Sequence, residues 1–123
     1  MSDKLRKSNN MAISSVASEK IFLSIGEQLI KTQRSVQISQ MFGKPCLKIK
    51  GKAFSCFFQN EMVFKLHGKN HELAMNLNGS QLFDPSGKKR PMKEWVQVTF
   101  DYSKKWKQLA LSALEYVSAG KKI

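Results

Sequence analysis

The stretch Leu47-Lys48-Ile49-Lys50-Gly51-Lys52-Ala53-Phe54-Ser55-Cys56-Phe57-Phe58-Gln59-Asn60-Glu61-Met62-Val63-Phe64-Lys65-Leu66 decides the fold of this chain. Leu47 and Ile49 alternate with Lys48 and Lys50. After a turn at Gly51-Lys52, Phe54, Cys56 and Phe58 repeat the period of two. Beyond Gln59-Asn60, Met62, Phe64 and Leu66 do so again, with Val63 and Lys65 between them. A period of two belongs to strands, whose successive side chains point to opposite faces. Connections this short join antiparallel neighbours. The stretch therefore predicts a three-strand antiparallel meander with an apolar face and a lysine-bearing face.

Upstream, Val16, Ile21, Phe22, Ile25, Leu29 and Ile30 recur mostly at steps of three and four between Glu19, Lys20, Glu27 and Gln28, which predicts an amphipathic helix over 15–31, slightly weakened by Gly26. Residues 35–39 alternate as a half-buried strand, and Met41-Phe42-Gly43-Lys44-Pro45 ends it. Downstream, Asn70 is the expected N-cap of a short helix carrying Leu73, Ala74 and Leu77 and closing near Gly79. Gln81 to Phe83 read as a brief extended segment, Asp84-Pro85-Ser86-Gly87 as a β-turn, and 95–100 as a strand with Val96, Val98 and Phe100 on one face. Asp101 or Ser103 caps a last helix bearing Trp106, Leu109, Ala110, Ala113, Leu114 and Val117, with a polar exit at Gly120-Lys121-Lys122. This order predicts a two-layer α+β domain: a single antiparallel sheet with helices packed on one face. Residues 1–13 are expected to be a flexible lead-in, and 14–123 one domain.

The chain has 123 residues, of which 41% are hydrophobic, so one core is expected. No apolar run approaches the ~20 residues of a membrane helix, and no apolar segment follows the basic N-terminus as a secretory signal requires. These features lead to the expectation of a cytoplasmic protein without a membrane partner. Cys46 and Cys56 show neither a CxxC spacing nor a neighbouring histidine, and two buried free thiols are expected rather than a disulfide or metal site.

Lys and Arg number 21 against 9 Asp and Glu, a formal charge of +12, which attracts polyanions. Arginine is confined to Arg6, Arg34 and Arg90, and that bias towards lysine favours a diffuse field over bidentate base or phosphate reading. The candidate polyanion-binding residues are Lys88, Lys89, Arg90 and Lys93 in one knot, Lys48, Lys50 and Lys65 if they share the polar sheet face, and Trp95 as a stacking surface. The competing readings are a solvated sheet face with edge-protecting lysines and a packing role for Trp95. His67 and His71 have the spacing of two helical metal ligands, but Gly68 interrupts the helix and no third ligand accompanies them. Asp84 reads as a turn residue and Asp101 as a cap, so no catalytic pair forms, and no glycine pattern cradles a nucleotide.

Met41-Phe42-Gly43, the strands split by Gly51-Lys52-Ala53-Phe54, Phe83 followed by Gly87-Lys88 and Pro91-Met92-Lys93, Trp95-Val96 and a closing amphipathic helix together resemble the N-terminal domain of TfoX-like proteins, and more distantly MmcQ/YjbR-like domains. The resemblance covers most of the chain. It departs at Lys44-Pro45, where the commoner pattern continues with a second glycine. It implies a fold similar to secretion chaperones and adds no catalytic residues; no cofactor is expected. It also implies a regulatory role, since TfoX proteins are associated with competence genes. The leading expectation is thus a non-enzymatic module acting mainly through protein contacts, with a second copy of the chain as one such partner. The alternatives are weakly selective nucleic-acid binding through the lysine-rich face, and an enzyme with an unrecognised small-molecule pocket.

Overall fold

The computed structural model describes residues 3–119, with side chains from Val16 onward. Six strands form one antiparallel sheet in the order β1-β2-β3-β4-β6-β5: β1 is Val36–Met41, β2 Lys44–Ile49, β3 Lys52–Phe58, β4 Glu61–Lys65, β5 Gln81–Phe83 and β6 Met92–Val98. The helices α1 (Asp3–Thr32), α2 (Gly68–Met75) and α3 (Ser103–Ala119) cover one face, with a 3-10 turn at Phe100–Tyr102 leading into α3. The expected two-layer α+β architecture is the observed one.

The four-strand meander is set by three two-residue turns, Phe42-Gly43, Lys50-Gly51 and Gln59-Asn60, in which both residues have positive φ. That is the type I′ geometry whose twist matches the strands it joins. The second turn sits one residue earlier than the Gly51-Lys52 expected from sequence, which puts Lys52 on β3. The helix-side core then follows the alternation: Val36 pairs with Ile49, Met62 with Val98 and Phe64 with Val96, all buried. Phe22, Ile25 and Leu29 of α1 and Trp106, Ala110, Ala113 and Leu114 of α3 close over them. A Cβ on Gly26 would lie 3.0 Å from Leu47 Cδ2 and 3.3 Å from Ile38 Cδ1, so the glycine lets α1 settle onto β1 and β2.

The sequence reading needs correction at β3. Leu47 pairs with Ser55 but Lys48 with Ala53, so Phe54 is an extra residue in a β-bulge. The bulge turns both Phe54 and Ser55 towards the helices and sends Cys56 and Phe58 to the other face. Phe54, Cys56 and Phe58 therefore do not share a side. Buried Ser55 is satisfied through its hydroxyl, which donates to the Val63 carbonyl at 2.8 Å.

The outer face was expected to be polar, and its centre is instead a second apolar cluster. Cys46, Cys56, Val63, Phe83 and Trp95 are buried there, with Met41, Ala53, Phe58 and Met92 packed around them. Phe83 meets Phe58 edge-on at 5.1 Å and Trp95 at 6.2 Å between ring centroids.

Element ends differ as well. The α1 backbone is helical from Asp3, well ahead of residue 15 and into the stretch 1–13 expected as a flexible lead-in, whose side chains lie outside those described. The expected exit at Gly120-Lys121-Lys122 also lies outside the described residues. His67, not Asn70, occupies the N-cap position of α2, without a side-chain capping bond. β6 begins earlier than Trp95, and Phe100 leaves the sheet into the 3-10 turn.

Candidate functional site

Strand direction collects much of the charge at one end of the sheet. β2 ends at Ile49, β3 begins at Lys52, β4 ends at Lys65 and β6 begins at Met92. Because neighbours run antiparallel, those four termini lie side by side. Lys65 is opposite Trp95, and Phe83 at the end of β5 is opposite Met92, so the loop from Asp84 to Pro91 leaves and re-enters the sheet at the same end. Lys50, Lys52, Lys65, Lys88, Lys89, Arg90 and Lys93 thus share this end. Lys48 stands one step inside it on the outer face, opposite Ala53. From β2 to β6 the array crosses three strand spacings, about 14 Å.

At the middle of this end lies a cleft of ≈ 470 Å³ lined by Lys52, Ala53, Lys65, Met92, Trp95, Tyr116 and Val117. The last two come from the final turns of α3. Tyr116 donates its hydroxyl to Glu94 Oε2 at 2.5 Å, and its ring stacks on His67 at 5.1 Å with an interplanar angle of 7°. The bond to Glu94 pushes the phenol pKa up. Glu94 also faces Lys65, with Nζ 3.9 Å from Oε1, a distance at which a half-exposed pair contributes little. A ring nitrogen of His71 donates to the Lys93 carbonyl at 2.8 Å, which ties α2 to the start of β6. The two histidines are therefore engaged separately, and no cluster of three metal-ligating side chains occurs among the described residues.

The basic loop is organised by its one acid. Asp84 accepts the Ser86 hydroxyl at 2.8 Å and the Gly87 N–H at 3.2 Å, and the backbone N–H groups of Lys89 and Arg90 add to these. These bonds, that from Ser86 foremost, hold the Asp84 carboxyl below its usual pKa. The Lys88 N–H donates to Ser86 Oγ at 3.1 Å, and Lys89 takes a left-handed conformation with φ 61. Converging N–H groups in such a loop form an anion seat, and here Asp84 already sits in it. A phosphate would meet the exposed side chains of Lys88, Lys89 and Arg90 rather than the loop backbone.

Of the residues singled out from sequence, Lys48, Lys50, Lys65, Lys88, Lys89, Arg90 and Lys93 belong to this end. Trp95 is 6% exposed, held by the outer cluster, and presents no open ring face for stacking. Sequence reasoning missed Lys52 and Tyr116. Lys52 was legible in principle, since in a meander the second turn and the end of the third strand share one end. Tyr116 was not, because nothing local says which end of the sheet the last turns of α3 meet. Lys44 was missed too, and it lies at the opposite end, its Nζ 5.6 Å from the Phe58 ring centroid.

The thiols are free and buried, and they face each other as direct partners on β2 and β3. Burial pushes both pKa values up, that of Cys56 to about 12, which suppresses the thiolate either would need as a nucleophile. No family model, curated protein or solved structure matches the chain, and the site is accordingly read from its own geometry.

Proposed function

We propose that this chain is a non-enzymatic binding module that contacts the phosphate backbone of a nucleic acid through the basic end of its sheet, a role compatible with the regulatory one that resemblance to TfoX N-terminal domains implies. The observation that carries the proposal is the convergence of Lys50, Lys52, Lys65, Lys93 and the loop cations from separate segments onto one end. Like charges gathered at one end cost self-repulsion, and that cost is recovered when the phosphates of a polyanion neutralise them and release their condensed counterions to solvent.

The lysine-dominated set and the buried Trp95 favour backbone contact over base reading, so sequence selectivity is weak. The non-enzymatic reading rests on what the titratable groups already do. Glu94 binds Tyr116, His71 binds a backbone carbonyl, Asp84 fills its own loop, and the thiols are desolvated.

The test is a titration of labelled duplex and single-stranded DNA and RNA at low and moderate salt. Binding that weakens steeply with salt supports the proposal, and no binding at low salt removes it.

A further inference from the structure

The free edge of β1 is built unlike the rest of the molecule. Natural sheets protect edge strands with charge, proline, bulges or shortness. β5, the other edge, has three residues and is followed by Pro85. β1 has six, Val36-Gln37-Ile38-Ser39-Gln40-Met41, with no charge and no proline, and it pairs with β2 through six consecutive partners without a bulge. In a chain of net charge +12 this is a conspicuous neutral strip.

The exposed apolar side chains gather on the same flank. Among the described residues, the exposed large hydrophobics are Val16, Leu23, Ile30, Ile38, Phe42 and Leu73, and all but Leu73 belong to α1, β1 or the turn after it. Val16, Leu23 and Ile30 fall seven residues apart, one stripe along α1. The stripe lies on the Gly26 side of the buried face, and Gly26 is the point where α1 meets Ile38. It therefore overhangs the free edge rather than facing α3. Its length, about 21 Å, matches the about 20 Å of β1. Phe42 is 60% exposed and is held at φ 54, a strained conformation for a bulky residue.

We propose that this flank binds a second copy of the chain, β1 pairing antiparallel with the partner's β1 about a two-fold axis perpendicular to the sheet. Such an interface is self-complementary. With Leu23 near the axis, Val16 of each copy approaches Ile30 of the other, and Lys20 comes close to Glu27, opposite charges on the same helix face. The neutral strand allows pairing without like charges opposed. The two-fold also points the basic ends in opposite directions, which limits repulsion between protomers.

The test is analytical ultracentrifugation of the full chain from micromolar to millimolar concentration at low and high salt, with hydrogen exchange of the β1 amides. The expected result is a dimer that tightens as salt rises, opposite to nucleic-acid binding, because salt screens the repulsion between protomers. β1 amides gain protection as the dimer forms. Gln40→Lys and Leu23→Lys, both at exposed positions, each weaken the dimer about tenfold or more while circular dichroism and melting stay close to wild type. Leu23→Cys gives a disulfide-linked dimer under mild diamide oxidation. A monomer throughout the concentration range overturns the proposal. So does a dimer in which β1 gains no protection and both lysine variants associate as wild type.

Discussion

Replacing Lys88, Lys89 and Arg90 together by glutamine removes the loop's charge while leaving its frame, because the bonds that shape it come from Asp84, Ser86 and backbone N–H groups. The basic end spans about 14 Å between β2 and β6, and duplex phosphates recur every ~3.4 Å along one strand, so about four phosphates can be met at once. Four contacts give a slope of log K on log salt of about −3.6, hence a loss of roughly 150-fold between ~50 and ~200 mM salt. If the loop provides half of those contacts, the triple variant has a slope of about −1.8 and loses only about 12-fold over the same range. Fluorescence anisotropy with a labelled duplex measures both slopes, and the melting temperature confirms that the variant is folded. A variant slope equal to that of wild type refutes the assignment of the loop to the site. A wild-type slope near zero refutes the electrostatic reading as a whole.

Asp84→Asn should lower stability at neutral pH. The folded pKa of Asp84 is depressed, so its contribution is present above the unfolded carboxyl value and is lost as pH falls through the folded one. Urea melts of wild type and variant should converge in acid, and a gap that persists there contradicts the role given to the carboxylate. Cys46 and Cys56 should resist a thiol reagent such as DTNB at mildly alkaline pH in the native protein and react fully in denaturant, whereas fast native labelling contradicts their burial. Gly79→Ala places a Cβ 2.8 Å from Thr99 Cγ2 at φ 90, and the backbone strain alone should cost about 1–2 kcal/mol, measurable by chemical denaturation. Trp106→Ala, at the centre of the helix-side core, should cost about 3–5 kcal/mol, and a loss below ~1 kcal/mol contradicts its placement.

Where one face of an element is apolar and its period unbroken, the fold was readable directly. Leu47, Ile49, Met62, Phe64 and Leu66 are buried on the helix side as their spacing implies, and the α3 stripe lies where its steps of three and four put it. The bulge at Phe54 was invisible because Phe54, Cys56 and Phe58 keep a period of two whether or not a partner strand skips a residue. The register belongs to β2 and β3 together, and neither segment records it alone. The outer apolar cluster escaped for a related reason: Cys46, Val63, Phe83 and Trp95 come from four strands, and each looks like an isolated exception until the sheet aligns them. Of the site, the charges were legible and their common end was not. That end depends on β6 inserting between β4 and β5, which local sequence does not specify.

Asp84 makes the basic loop an arm already set before any ligand comes. Loops that must order themselves on contact lose conformational freedom at that moment, which slows docking and weakens it. This one carries its own counter-anion in the seat and displays its three cations from a fixed frame, so an arriving strand needs only to shed ions. Association should then run at a rate governed by ionic strength and diffusion, and the loop should keep the same shape with or without its partner.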